Sequence, residues 1–138
     1  MTIELATVSV GTELPALAIP PISRTTLALF GGASGDHNPI HLDLDVAKSA
    51  GLDDVFAQGM LSMAYLGRLL TDWAPQQSLR SFEVRFVAIT PVHAAPLLTG
   101  RVTAVDMVDG ERRATLQVAA TLPDGTVTLT GAAVIAID

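Results

Sequence analysis

The segment from Met60 to Trp73 constrains this chain most, because it cannot lie on a surface as a helix. Met60, Leu61, Met63, Ala64, Tyr65, Leu66, Leu69 and Leu70 recur on too many sides to leave a broad polar face. A helix of that kind has to be enclosed by the rest of the chain. The second half of the sequence offers the enclosure, since its period-two patterns mark antiparallel strands with one packed face. Phe82, Val84 and Phe86 alternate with Ser81, Glu83 and Arg85. Leu116, Val118, Ala120 and Leu122 share a face opposite Thr115, Gln117 and Thr121, and Val127 and Leu129 alternate with Thr126, Thr128 and Thr130. Asp109-Gly110 and Asp124-Gly125 tolerate positive φ and predict hairpin turns. The expected class is α+β, a twisted antiparallel sheet of four or more strands curled around one buried helix. Its edge strands need hiding, and dimerisation is one way to hide them.

The first half reads as mainly helical. Ala16 to Ile22 predicts an entry strand interrupted by Pro20 and Pro21, Ser23 is a candidate N-cap for a helix through about Gly31, and Asp43 caps a shorter helix ending near Gly51. A chain of 138 residues with 49% hydrophobic content suffices for one domain spanning 1–138, without repeats or low-complexity segments. With 14 acidic against 8 basic residues, the net charge of -6 argues against a nucleic-acid partner. The absence of cysteine removes disulfides, thiolate metal sites and cysteine nucleophiles. The start Met-Thr-Ile-Glu-Leu has no basic stretch followed by an apolar one, and no apolar run reaches membrane-spanning length. A cytoplasmic protein with no membrane partner is the expectation.

Residues 34 to 41, Ser-Gly-Asp-His-Asn-Pro-Ile-His, place a carboxylate and an imidazole five positions apart around a stiff Asn-Pro. Asp36 and His41 can share one water, which makes them candidates for general acid and base chemistry. Each also has a plainer reading: Asp36 as a local turn cap, His41 as a satisfied histidine on a packed turn. His37 reads as exposed or locally bonded, and His93, between prolines, as structural. No His-x-x-x-His or Glu-flanked pattern occurs, so no metal site is expected. Arg80, Arg85, Arg101, Arg112 and Arg113 could reach phosphates, but arginines on polar strand faces are usually only solvated.

The run Phe30 to His41, ending in Gly35-Asp36-His37-Asn38-Pro39-Ile40-His41, resembles the hydratase motif of MaoC-like (R)-specific enoyl-thioester hydratases and dehydratases. Phe56-Ala57-Gln58-Gly59-Met60-Leu61-Ser62 resembles that family's second signature, usually Ala-His-Gly-Met at the start of the central helix, with Gln58 in place of histidine. Thr71-Asp72-Trp73, Val84-Arg85-Phe86 and Pro91-Val92 are similar to features of small bacterial 3-hydroxyacyl-thioester dehydratase subunits. The likeness covers nearly the whole chain, and the order of its motifs makes it specific.

The resemblance implies a hot-dog fold. It also implies dimers joined edge to edge with active sites near the subunit interface, some being heterodimers in which only one subunit carries the dyad. With both dyad residues, this chain would be the active partner, as a homodimer or beside another hot-dog subunit. The implied activity is a hydro-lyase reaction of fatty acid metabolism, reversible hydration of trans-2-enoyl thioesters of coenzyme A or acyl carrier protein to (3R)-3-hydroxyacyl thioesters. No cofactor is implied beyond the thioester carrier. Asp36 and His41 would move protons through one water. The Gly59 N–H, free at a helix N-terminus, would stabilise the thioester oxygen, and a glycine there allows close approach. Asn38 and Pro39 would aim the dyad inward, while Ser62 either lines the pocket or serves close packing. Gln58 keeps hydrogen-bonding ability but cannot titrate. Two rivals stand beside this reading: a hot-dog acyl thioesterase directing water at the carbonyl carbon, and a non-catalytic acyl-binding subunit of a heterodimeric dehydratase.

Overall fold

The computed structural model describes residues 4–138. Met1, Thr2 and Ile3, the start of the segment read for a leader, lie outside the described residues. Ser23 is extended and its hydroxyl accepts the Thr26 N–H, so it caps α1, Arg24–Ser34. The helix does not stop at Gly31 as its glycines suggested. It runs through Gly31 and Gly32 and ends at Gly35, whose φ of 77° is left-handed and whose N–H bonds the Gly31 carbonyl. Only a residue without Cβ adopts that conformation at little cost. The Asp43 carboxylate accepts the Asp45 and Val46 N–H groups and starts α2, Leu44–Ser49, close to where the sequence placed it. Between the helices, Pro39–His41 forms one 3₁₀ turn capped by the Asn38 side chain.

The central helix α3 spans Gly59–Trp73. Around it curls a five-stranded sheet of β1 (Leu17–Ala18), β2 (Leu79–Phe86), β3 (Leu97–Val108), β4 (Glu111–Thr121) and β5 (Val127–Ala136), ordered β1-β3-β4-β5-β2. Every neighbouring pair is antiparallel. Ala114, Leu116, Val118 and Ala120 of β4 share one core with Leu129, Ala133 and Ile135 of β5 and with Leu61, Leu66, Leu69 and Leu70 of α3. Burying each of the leucine, isoleucine and valine side chains contributes about 1.5–3 kcal/mol, so the helix and the sheet hold each other in place. This is the hot-dog arrangement that the sequence implied. Trp73 closes the helix, buried, with its Nε1 unpartnered among the described residues.

Both expected hairpins form, by different means. Asp109 and Gly110, with φ of 53° and 75°, make a two-residue turn between β3 and β4. Asp124-Gly125 sits instead in a longer loop in which the Gly125 N–H meets the Leu122 carbonyl at 2.9 Å.

Besides the end of α1, four features depart from expectation. The entry strand shrinks to Leu17–Ala18, because Pro20 and Pro21 have no N–H to give a ladder. The strand β3 adds to the expected ladder, with Leu98, Gly100 and Val102 alternating inward against Thr99 and Arg101. The helix α3 is not wholly enclosed within one chain, since Met60 is 56% exposed and Ala64, Arg68 and Asp72 continue an open stripe at helical spacing. Phe86 ends β2 at 54% exposure, unlike Phe82 and Val84, which pack against the core. Among the described residues no helix is long and apolar enough to cross a membrane.

Candidate functional site

The loop after α1 and the 3₁₀ turn that follows bring Asp36 and His41 face to face. Asp36 divides its carboxylate between two tasks. Its Oδ1 accepts the Asn38 N–H at 3.2 Å, which is the local turn role, while Oδ2 stands 3.9 Å from His41 Nε2. The Asn38 side chain accepts the Ile40 N–H at 3.1 Å and so shapes the turn that delivers His41. His41 is buried at 8% exposure, its Nδ1 is 2.7 Å from the Phe56 carbonyl, and its ring meets the Phe56 ring edge-on at 4.8 Å and 82°. A carbonyl only accepts, so Nδ1 carries a proton whatever the charge of the ring. A neutral His41 therefore turns a bare Nε2 lone pair toward Asp36. The separation exceeds a direct hydrogen bond and suits a water held by both groups.

Phe56 leads into the second motif. The Ala57 N–H bonds the Thr90 carbonyl at 2.9 Å, and Phe56 bridges Pro91, which pins this segment beside the start of α3. Gly59 is the first residue of α3, so its N–H has no intrahelical acceptor and lies at the positive end of the helix dipole. A cavity of about 390 Å³ opens there, lined by Gly59 and Ser62 together with Phe56, Phe86, Ile89 and Leu129. Ser62 is buried against it. A Cβ on Gly59 would stand 2.9 Å from Phe86 Cε1, so the glycine is what admits the ring. Gln58 does not face this cavity. It is fully buried, and its Nε2 donates to the Leu27 carbonyl of α1 at 2.9 Å.

The structure thus brings Asp36, His41 and Asn38 together in one cluster, and Gly59 and Ser62 together around the cavity, with Phe56 touching both. The Phe56 carbonyl and the Phe86 ring were not singled out by sequence reasoning. A main-chain oxygen leaves no trace in residue type, and Phe86 read only as one member of an alternating strand. His37 is exposed, and His93 is exposed with φ 67°, its N–H on the Ile22 carbonyl. The arginines serve other ends. Arg80 and Arg113 bind Glu111, holding its carboxyl down at about 2, while Arg112 donates to the Ala6 and Val8 carbonyls. Arg24 grips Asp54 and lowers its pKa. Arg85 and Arg101 line a separate trough on the sheet's outer face. Burial pushes the Tyr65 hydroxyl up. Among the described residues no three His, Asp or Glu side chains gather as metal ligands.

Comparison with known proteins agrees with this fold. The chain is 27% identical over 116 residues to an (R)-specific enoyl-CoA hydratase from Rhodospirillum rubrum, covering 84% of this chain and 80% of the relative. A chain of the ChsH1-ChsH2 complex from Mycobacterium tuberculosis superposes with a TM-score of 0.82 at 26% identity, over 96% of this chain and 99% of the other. An (R)-hydratase from A. caviae involved in PHA biosynthesis shares the fold, with a TM-score of 0.80 at 24% identity over 94% and 96% of the two chains. The MaoC like domain matches residues 7–124, most of the sequence, and the chain therefore belongs to the MaoC-like family.

Proposed function

We propose that the protein hydrates trans-2-enoyl thioesters of coenzyme A or acyl carrier protein to (3R)-3-hydroxyacyl thioesters, and runs the reverse dehydration. One observation carries this reading: a carboxylate and an imidazole nitrogen of fixed tautomer, 3.9 Å apart, close to a helix N-terminus that opens on a cavity. Hydration needs water to lose a proton as its oxygen bonds C3, C2 to gain a proton, and negative charge on the thioester oxygen to be held meanwhile. Asp36 and His41 clasp the water between them. Its proton passes to the pair as oxygen attacks C3, and the pair returns a proton to C2, so the balance closes. The Gly59 N–H and the α3 dipole hold the thioester oxygen. The chemistry is addition of water to C3 coupled to proton transfer and calls for no redox cofactor or metal.

The same reading includes a second hot-dog chain. Met60, Phe86, Val87 and Ile89 expose apolar surface around the cavity, and a partner would cover it. The ChsH1-ChsH2 complex from M. tuberculosis supports pairing with a different subunit, and a second copy of this chain is the alternative partner. Loss of the ultraviolet absorbance of a short enoyl-CoA tests the activity. Asp36→Asn and His41→Ala are each expected to lower turnover by at least about 10²-fold while leaving the circular dichroism spectrum intact. Unchanged turnover in both variants refutes the mechanism. Free thiol without hydroxyacyl product marks a thioesterase instead.

A further inference from the structure

We infer that Gln58 is a positioning residue that fixes the Asp36 carboxylate relative to His41 and the α3 N-terminus without touching substrate. The inference rests on the hydratase reading for its kinetic test and on geometry for the rest. Gln58 is 0% exposed and occupies the position before α3, yet its side chain makes no cap bond. Its Nε2 instead donates to Leu27 in the middle of α1 at 2.9 Å, and its Oε1 has no partner among the described residues. A buried acceptor without a donor is costly, and an apolar side chain of the same volume would pack without that penalty. The bond to Leu27 is what a glutamine adds here.

That bond reaches the active carboxylate in two steps. Leu27 and Gly31 are both buried and lie one turn apart on the same face of α1. A Cβ on Gly31 would stand 3.1 Å from the Asp36 carbonyl and 3.4 Å from Leu42, so the Asp36 loop rests directly on this face. Where α1 sits, Asp36 follows. His41 is held by the Phe56 carbonyl, two residues before Gln58. Both members of the dyad are therefore referenced to the short segment from Phe56 to Gly59, His41 through a main-chain bond and Asp36 through Gln58 and α1. The 3.9 Å separation depends on both ties.

Gln58→Met keeps the volume and removes both polar atoms. The expected result is a kcat lowered about tenfold, since small misplacement of a reacting group is expensive. KM should stay within about twofold, as ground-state binding is untouched. The thermal midpoint should not fall, because the orphaned acceptor is lost together with the bond. Gln58→His, which retains an N–H donor, should recover most of kcat. A reading independent of turnover comes from the His41 imidazole ¹H–¹⁵N signals. Gln58→Met should move them in the direction that Asp36→Asn does, and Gln58→His should leave them in place. If the wild-type protein turns over no enoyl thioester, the hydratase reading fails and the imidazole signals still decide the positioning role. Unmoved His41 signals in Gln58→Met, or a retained kcat, overturn the inference. A fall of kcat together with raised KM and a lower midpoint also overturns it, by showing a general packing defect.

Discussion

Gly59→Ala separates stability from function at a single residue. The added Cβ falls on the outer end of the Phe86 ring, which is more than half exposed in the single chain. The cost to folding should therefore stay below about 1 kcal/mol, as for substitutions that disturb no packed core. The displaced ring has the neighbouring cavity to enter, so kcat/KM for an enoyl thioester should fall, and Gly59→Ala combined with Phe86→Ala should recover part of it. Steady-state kinetics with a thermal melt measures both, and a large drop in midpoint would contradict the expectation. Residue types carried much at this scale. The spacing of Asp36 and His41 around Asn38-Pro39 was enough to expect a carboxylate and an imidazole side by side, whereas the roles of Asn38 and Gly59 came from the resemblance of their motifs. The Phe56 oxygen that sets the His41 tautomer was not legible, because every residue has one. The destination of Gln58 was also hidden, since its partner is a carbonyl 31 positions away in α1.

At the scale of elements, Glu111 at the head of β4 ties Arg80 of β2 to Arg113 of its own strand. Its pKa falls from 4.5 to about 2 because both guanidiniums bond the carboxylate. A depressed acid contributes stability that is complete above its unfolded pKa and is lost as pH falls through the folded one. The gap in unfolding midpoint between the wild-type protein and Glu111→Gln should thus be constant above pH 4.5 and close between there and about pH 2. Because the groups are only partly buried, the gap should be small, and added salt should narrow it. Denaturant titrations across that range supply the test, and a gap that widens with acid would reverse the assignment. Capping residues made α1 and α2 readable at their starts, since Ser23 and Asp43 act alone and locally. The end of α1 is hard to read because several glycines compete for it, and of these only Gly35 takes the left-handed backbone that ends the helix. The strand β3 escaped notice because Gly100 interrupts its apolar alternation where Leu14 fills the space.

For the whole molecule, the apolar segment Met60 to Trp73 and the period-two strands are enough to expect a sheet curled around one buried helix, and the motif resemblance supplies the hot-dog arrangement. What the sequence of one chain did not show is how much of α3 and β2 stays open, because a second chain leaves no imprint on periodicity. Val87→Glu places a charge in the exposed patch and should convert an oligomer to monomers by light scattering. Equal masses for variant and wild type would show that no partner covers this surface. Trp73 has a practical consequence of its own. It is the only tryptophan in the chain and sits where the helix meets the sheet. Its indole is shielded from water in the folded chain, so its emission should be blue-shifted and move to the red only when sheet and helix part. The protein thus carries a built-in optical gauge of its own core, and fluorescence and circular dichroism melts should coincide if that core opens as one unit.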